Sequence, residues 1–174
     1  MDAGVLRTAL EALDAGLDRE VRLLVGGGAA LALAHGLRVT TLDVDAVPFR
    51  CAATLEDLAP IVAQVGAELG IGPNWLNGYF STFLHVLPSD YGDRLVPIVA
   101  GKRLTALALG AEDLVVMKLF AGRDKDLPHA RALLVKGADA SIIDAHLQTL
   151  IERGIPGAQD AADRLDELRD QLGG

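Results

Sequence analysis

Val21-Arg22-Leu23-Leu24-Val25-Gly26-Gly27-Gly28, then a small-residue stretch from Ala29 to His35, then Arg38-Val39-Thr40-Thr41-Leu42-Asp43-Val44-Asp45: the reading of these residues decides the fold. Val21 to Val25 reads as a short buried strand, the three glycines as a tight turn, and Ala29 to His35 as a helix stopped by Gly36. Thr41 to Phe49 reads as a second strand that ends near Pro48. Successive strand side chains point to opposite faces, so Asp43 and Asp45 share one face while Leu42 and Val44 share the other. Two carboxylates on one face are within reach of one divalent ion or a pair of ions. Glycines that open a helix let backbone N–H groups approach an anion closely, and the positive end of the helix dipole adds to the attraction. The arrangement suits a nucleoside triphosphate with its magnesium. Each part also has a plainer reading: solvent-facing aspartates on an edge strand, and a glycine turn required only by strand–helix packing.

Working outward, Val5, Leu6, Leu10, Leu13 and Leu17 recur at helical spacing, so an amphipathic helix precedes the first strand. Downstream, Thr54 is a suitable N-cap with Asp57 at N3, and Leu58, Val62, Val65 and Leu69 form the buried stripe of a helix that ends at Gly70, with Pro60 inside it. Three apolar runs, Tyr79 to Leu87, Arg94 to Val99 and Arg103 to Leu109, are separated by turn residues and read as a small antiparallel meander. From Ala111 the pattern is helical, with breaks at Gly122, Gly137 and Gly154. The expected class is α+β: a small mixed sheet with helices packed on it over residues 1–110, followed by an α-helical part over 111–174 packed on that core as one compact unit.

Hydrophobic residues make up 51% of the 174 and aromatic residues only 4%, so Ala, Leu and Val must fill the core. The most apolar stretch, Leu23 to Leu37, is interrupted by four glycines and a histidine and does not suit a membrane span. The opening Met1-Asp2-Ala3-Gly4 lacks a basic signal-peptide region, and the lone Cys51 has no partner for an internal disulfide. A cytoplasmic location is the expectation. The net charge of −8 argues against a broad nucleic-acid footprint. Local basic groups at Arg94, Lys102, Arg103, Arg123 and Lys125 are expected to gather near the carboxylates and grip a few phosphates.

At these motifs the chain resembles the nucleotidyltransferase superfamily, the fold of DNA polymerase β and the tRNA-nucleotide-adding enzymes. It is similar in particular to the minimal bacterial branch that contains the AbiEii-type toxins. The resemblance rests on Gly27-Gly28 and on Arg38, Thr41, Asp43, Val44 and Asp45, with one extra residue between the arginine and the threonine. It rests also on Leu114, Lys118, Ala121, Arg123 and Asp126, which follow the branch's second pattern. The triplet Trp75-Leu76-Asn77 is familiar from the same branch. What the resemblance implies is a magnesium-dependent transfer of a nucleoside monophosphate to an acceptor hydroxyl, on a tRNA 3′ end or on a protein, by a toxin with an antitoxin protein as partner. Asp43 and Asp45 would be metal ligands and catalytic residues, joined in catalysis by Lys118 and Asp126. Gly26, Gly27, Gly28, Arg38, Thr41, Lys118 and Arg123 would bind the nucleotide. The superfamily's third carboxylate, on a later strand, has no counterpart in the three apolar runs, and His129 stands where a second acidic residue is frequent. A rival reading is therefore a nucleotidyltransferase-fold module that has lost catalysis and binds a nucleotide or a protein.

Lys118 lies among apolar residues, where a lysine either snorkels its ammonium to solvent or neutralises a phosphate oxygen. Trp75 and Asn77 read as loop residues that contact a base or plug the core edge. The acidic stretch Asp160 to Asp170 reads as the solvated face of an amphipathic helix.

Overall fold

The computed structural model describes residues 1–173 and divides into two compact units. The first comprises Met1–Thr82 and Leu95–Leu109, the second Phe83–Arg94 and the chain from Gly110 onward.

The first unit is built on a five-stranded mixed sheet in the order β3-β2-β1-β5-β4. Its strands are β1 (Val21–Val25), β2 (Val44–Pro48), β3 (Leu76–Asn77), β4 (Val96–Ala100) and β5 (Leu104–Ala108). The central β1 runs parallel to β5 and antiparallel to β2, and β3 adds parallel to β2. Alternation sends Val21, Leu23 and Val25 of β1 and Leu104, Ala106 and Ala108 of β5 into the core. Leu6, Ala9, Leu10 and Leu13 of α1 (Ala3–Gly16), which packs on β4 and β5, are buried with them. Val5, expected on that stripe, is 37% exposed. The short α2 (Gly27–Leu33) contacts α1 and β2, and α3 (Leu55–Leu69) packs on α1. The expected capping box of α3 is formed: Thr54 Oγ1 accepts from Asp57 N–H at 3.1 Å and the Asp57 carboxylate accepts from Thr54 N–H at 2.9 Å. Gly70 ends that helix in the left-handed conformation.

The sheet departs from the expected strands in three places. The run Tyr79–Val86 is a 3-10 helix, not a strand, so the only hairpin in this region is β4 with β5, and no three-stranded meander forms. Its buried Phe80 and Val86 and half-buried Phe83 recur every third position, the period of a 3-10 turn, with Leu84 also half-buried. The second strand begins at Val44 rather than Thr41, because the Thr41 hydroxyl engages the backbone of Asp43 and draws these residues into a bend. Conversely, Leu76–Asn77, read as loop, is a two-residue strand too short to show a period. Its anchor is Trp75, 1% exposed, whose indole N–H donates to the Val62 carbonyl at 2.8 Å.

The second unit is helical: α4 (Ala111–Ala121), α5 (Asp126–Val135), α6 (Ala140–Glu152) and α7 (Ala158–Gly173). Within it α4 contacts the other three helices, and every residue from Asp113 to Leu119 is buried. The expected breaks hold, with Gly122, Gly137 and Gly154 all at positive φ. On α7 the buried Ala158, Ala161, Ala162, Leu165 and Leu168 leave the acidic residues on the outer face.

Trp75→Phe should lower unfolding stability by about 1–3 kcal/mol, the cost of stranding a buried polar group together with lost packing. Urea denaturation measures it, and an unchanged midpoint would contradict the anchoring role.

Candidate active site

The glycine run is required by what lies against it. Gly27 has φ 58°, a conformation that L side chains rarely adopt, and a Cβ there would stand 2.4 Å from Asp45 Oδ2. A Cβ on Gly28 would meet Thr41 Cβ at 2.9 Å, and one on Gly26 would meet the Phe80 ring at 2.7 Å. The absent side chains let Asp45 and Thr41 close onto the first turn of α2, which has no acidic residue of its own. Gly26 N–H donates to the Asp45 carbonyl at 2.8 Å and fixes the strand against the turn. A carboxylate at that end of a helix is electrostatically favoured.

Asp43 sits in the bend before β2, its two carboxylate oxygens held from different sides. Thr41 Oγ1 lies 3.2 Å from Asp43 Oδ1, and Asn77 Nδ2 donates to Asp43 Oδ2 at 2.8 Å. The orientation of the Asn77 amide follows from its other end, since its Oδ1 accepts from Tyr79 N–H at 3.0 Å. Asn77 is also the register partner of Asp45 across the β2–β3 pair. The first unit therefore brings together Gly26, Gly27, Gly28, Thr41, Asp43 and Asp45, and adds Asn77, which sequence reasoning left as a loop residue. The familiar Trp75-Leu76-Asn77 triplet was the available signal. Arg38 is exposed and lines a separate cavity of about 610 Å³ with Asp2, Gly36 and Thr40.

Two aspartates offering only hard oxygen donors suit magnesium, which is commonly held by one or two carboxylates together with water and substrate phosphates. No cluster of three or more His, Cys, Asp or Glu side chains placed for a metal occurs among the described residues, so the pair would depend on a phosphate-bearing ligand to complete the shell.

In the helical unit Lys118, Arg123 and Asp126 form one ionic group. Lys118 Nζ donates to Asp126 Oδ1 at 2.6 Å and Arg123 Nε to Asp126 Oδ2 at 2.5 Å. The Asp126 side chain is fully buried and that of Lys118 is 8% exposed, so this lysine does not snorkel to solvent. Burial alone would raise the Asp126 pKa, but the hydrogen bonds and charges of Arg123 and Lys118 outweigh it and hold the carboxyl below the ordinary range. Burial, reinforced by the Lys118 charge, pushes His129 below the usual histidine range and keeps it neutral.

Of the basic residues expected at the carboxylates, Lys102 and Arg103 lie elsewhere in the first unit. Arg94 is spent on structure: it pairs with Asp113 at 2.8 and 3.3 Å and with Asp90 at 2.8 Å. Lys102 and Arg103 precede Leu104, which registers with Val21, whereas the glycine turn follows Val25 at the other end of β1. Their turn is held by Asp14, whose carboxylate accepts N–H groups of Lys102, Arg103 and Leu104 at 2.6–3.0 Å.

A strand, a glycine turn closing on an Asp-x-Asp segment and a mixed sheet define a nucleotidyltransferase-like site. The family model described as "Nucleotidyltransferase of unknown function (DUF6036)" matches residues 5–151, and the chain belongs to that family. No curated protein and no solved structure was found to match it.

Gly27→Ala should destabilise the first unit by about 1–2 kcal/mol from the left-handed backbone alone, more once Asp45 is displaced. Chemical denaturation checks this, and parent-like stability would contradict the close approach. Asp126→Asn should cost about 3 kcal/mol at neutral pH by leaving buried Lys118 without its counter-charge. Because the folded pKa of Asp126 is depressed, its contribution is fully present above the ordinary carboxylate pKa and is lost as pH falls below about 4 through the folded value. The stability gap between parent and variant should therefore narrow in acid; a gap constant from pH 7 to pH 2 would contradict the ion pair.

Proposed function

We propose that this chain transfers a nucleoside monophosphate from a triphosphate to an acceptor hydroxyl, with Asp43 and Asp45 holding magnesium and the turn at Gly26 to Gly28 receiving phosphate oxygens. The observation that carries the reading is the pair of restraints on the two aspartates: Asp45 seated against Gly27, and Asp43 clamped between Thr41 and Asn77. Asp43 is held by a hydroxyl and an amide and joins no ion pair among the described residues, so its charge is available to a cation. Magnesium supplies charge neutralisation and alignment of the triphosphate. The residues supply fixed geometry: pre-oriented carboxylates and backbone N–H groups that need not reorganise as charge shifts in the transition state. Asn77 is a positioning residue, keeping Asp43 in one rotamer as the outer partner of a metal ligand does. Lys118 and Arg123 keep the task of meeting triphosphate charge, oriented by Asp126. An RNA 3′ end is the preferred acceptor and a protein hydroxyl the second.

A second reading, a nucleotide-binding module without turnover, is favoured by one observation. The residue paired with Asp45 on β3 is the amide Asn77, and neither β3, β4 nor β5 carries an acidic residue to serve as a third carboxylate that assists the attacking hydroxyl.

Thermal unfolding with each of the four triphosphates, with and without magnesium, separates the readings. The active-enzyme reading predicts stabilisation by several degrees that requires magnesium, together with transfer of labelled nucleotide to cellular RNA. Stabilisation without turnover supports the binding module, and no response contradicts both. Asp43→Ala should abolish the magnesium-dependent shift while leaving the apo melting temperature unchanged. Asn77→Ala should raise the magnesium concentration needed by roughly 10- to 100-fold, the usual effect of losing an outer-shell partner.

A further inference from the structure

At the end of the sheet away from the glycine turn, Glu20, Arg22, Arg50, Cys51, Lys102 and Arg103 line a polar cavity of about 340 Å³. Four cations and one carboxylate face it, in a chain whose net charge is −8. None of the four forms an ion pair among the described residues, whereas Arg94, Lys118, Arg123 and Arg169 all do. Asp14, the other acidic group at the Lys102 turn, is occupied by three backbone N–H groups. Four cations against Glu20 and the nearby Asp14 leave a local excess of positive charge that an anionic ligand relieves.

The backbone carries an independent sign. Arg50 is the only non-glycine residue at positive φ among the described residues, at 52°. A left-handed residue with a side chain costs on the order of 1 kcal/mol, and such strain collects at ligand clamps. Here it places the Arg50 guanidinium 4.9 Å over the Phe49 ring, beside the cavity. Arg103 is held from behind, donating to the Leu17 carbonyl at 2.6 Å, and Cys51 Sγ–H points to the Arg22 carbonyl at 3.5 Å.

We propose that this cavity is a phosphate-binding site for the backbone of a nucleic-acid strand. Guanidinium groups match phosphate oxygens with paired donors, and the lining is mostly polar, with no aromatic face on which a base would stack. Pairing of Val21 with Leu104 and of Val25 with Ala108 sets the cavity about 13 Å along β1 from the glycine turn, at roughly 3.3 Å per residue. A strand with one phosphate per 3.4 Å of duplex axis covers that distance in about four phosphates. The cavity would thus hold the body of an RNA acceptor whose end is being modified. That last link rests on the nucleotidyltransferase reading; the binding itself does not.

The test is fluorescence anisotropy of the full chain with a labelled 12-residue oligouridylate, across a salt series without magnesium. The proposal predicts binding with a log–log salt slope of about −1.4 to −2.8, from two to four phosphates at about 0.7 each. Arg22→Gln, Lys102→Gln and Arg50→Gly should each weaken binding about five- to tenfold and reduce the slope by about 0.7. Arg50→Gly removes the charge where glycine accepts the backbone, so its melting temperature should not fall. Asp43→Ala should bind the oligonucleotide like the parent. Binding unaffected by the three variants together, or lost with Asp43→Ala, overturns the site. A parent that binds inorganic pyrophosphate in competition with these variants but not the oligonucleotide overturns the nucleic-acid assignment in favour of a small anion. Failure of the transferase reading would appear separately, as oligonucleotide binding intact with no magnesium-dependent response to triphosphates.

Discussion

The missing Cβ at Gly27 is the constraint on which the site depends. It lets the Asp45 carboxylate rest against the first turn of α2, and a side chain at that position would occupy the same space. Gly28 does the same for Thr41, and Thr41 in turn bends the chain so that Asp43 leaves the strand ladder and meets Asn77. The choice between a glycine turn needed for packing and one needed for phosphate is therefore not exclusive. What packs against Gly27 and Gly28 is Asp45, proposed above as a metal ligand, and Thr41, which orients Asp43.

The charged residues fall into two groups with different energetics. Asp126 with Lys118 and Arg123, and Asp113 with Arg94, are ion pairs in which at least one partner is buried, where removal of one member strands the other. These set local geometry. Arg22, Arg50 and Lys102 are exposed and lack ion-pair partners among the described residues. Asp43 is polarised by neutral donors, a hydroxyl and an amide, rather than by a cation. Neutral donors fix a carboxylate's direction while leaving its charge to a metal, which is the property a magnesium site needs.

Much of the frame was legible in the chain itself. The β1 limits, the Thr54–Asp57 capping box, the stops of α3 at Gly70 and α4 at Gly122, and the juxtaposition of Gly27 with Asp45 follow from period, cap chemistry and the steric freedom of glycine, whereas α2 ends at Leu33, short of the expected stop at Gly36. What was not legible came from short elements and from tertiary choice. Leu76–Asn77 is too brief to show alternation, so Asn77 could not be assigned to Asp43. The Tyr79–Val86 run is apolar enough for a strand, and only the period of its buried positions marks a 3-10 helix. Lys102 and Arg103 were misplaced for another reason: proximity in sequence to a strand does not say which end of the sheet they occupy, and the parallel pairing of β1 with β5 put these two away from the carboxylates.

The most direct test of the central claim, that Asp43 and Asp45 beside the glycine turn form the metal and triphosphate site, is paramagnetic broadening. Manganese substitutes for magnesium at oxygen-donor sites. Titrated with a non-hydrolysable triphosphate into ¹⁵N-labelled protein, it should selectively broaden the amides of Gly27, Gly28, Asp43 and Asp45 and the Asn77 side-chain NH₂, and this should vanish in Asp43→Ala. Sharp signals from these groups while others broaden, or the same broadening in Asp43→Ala, would contradict the account.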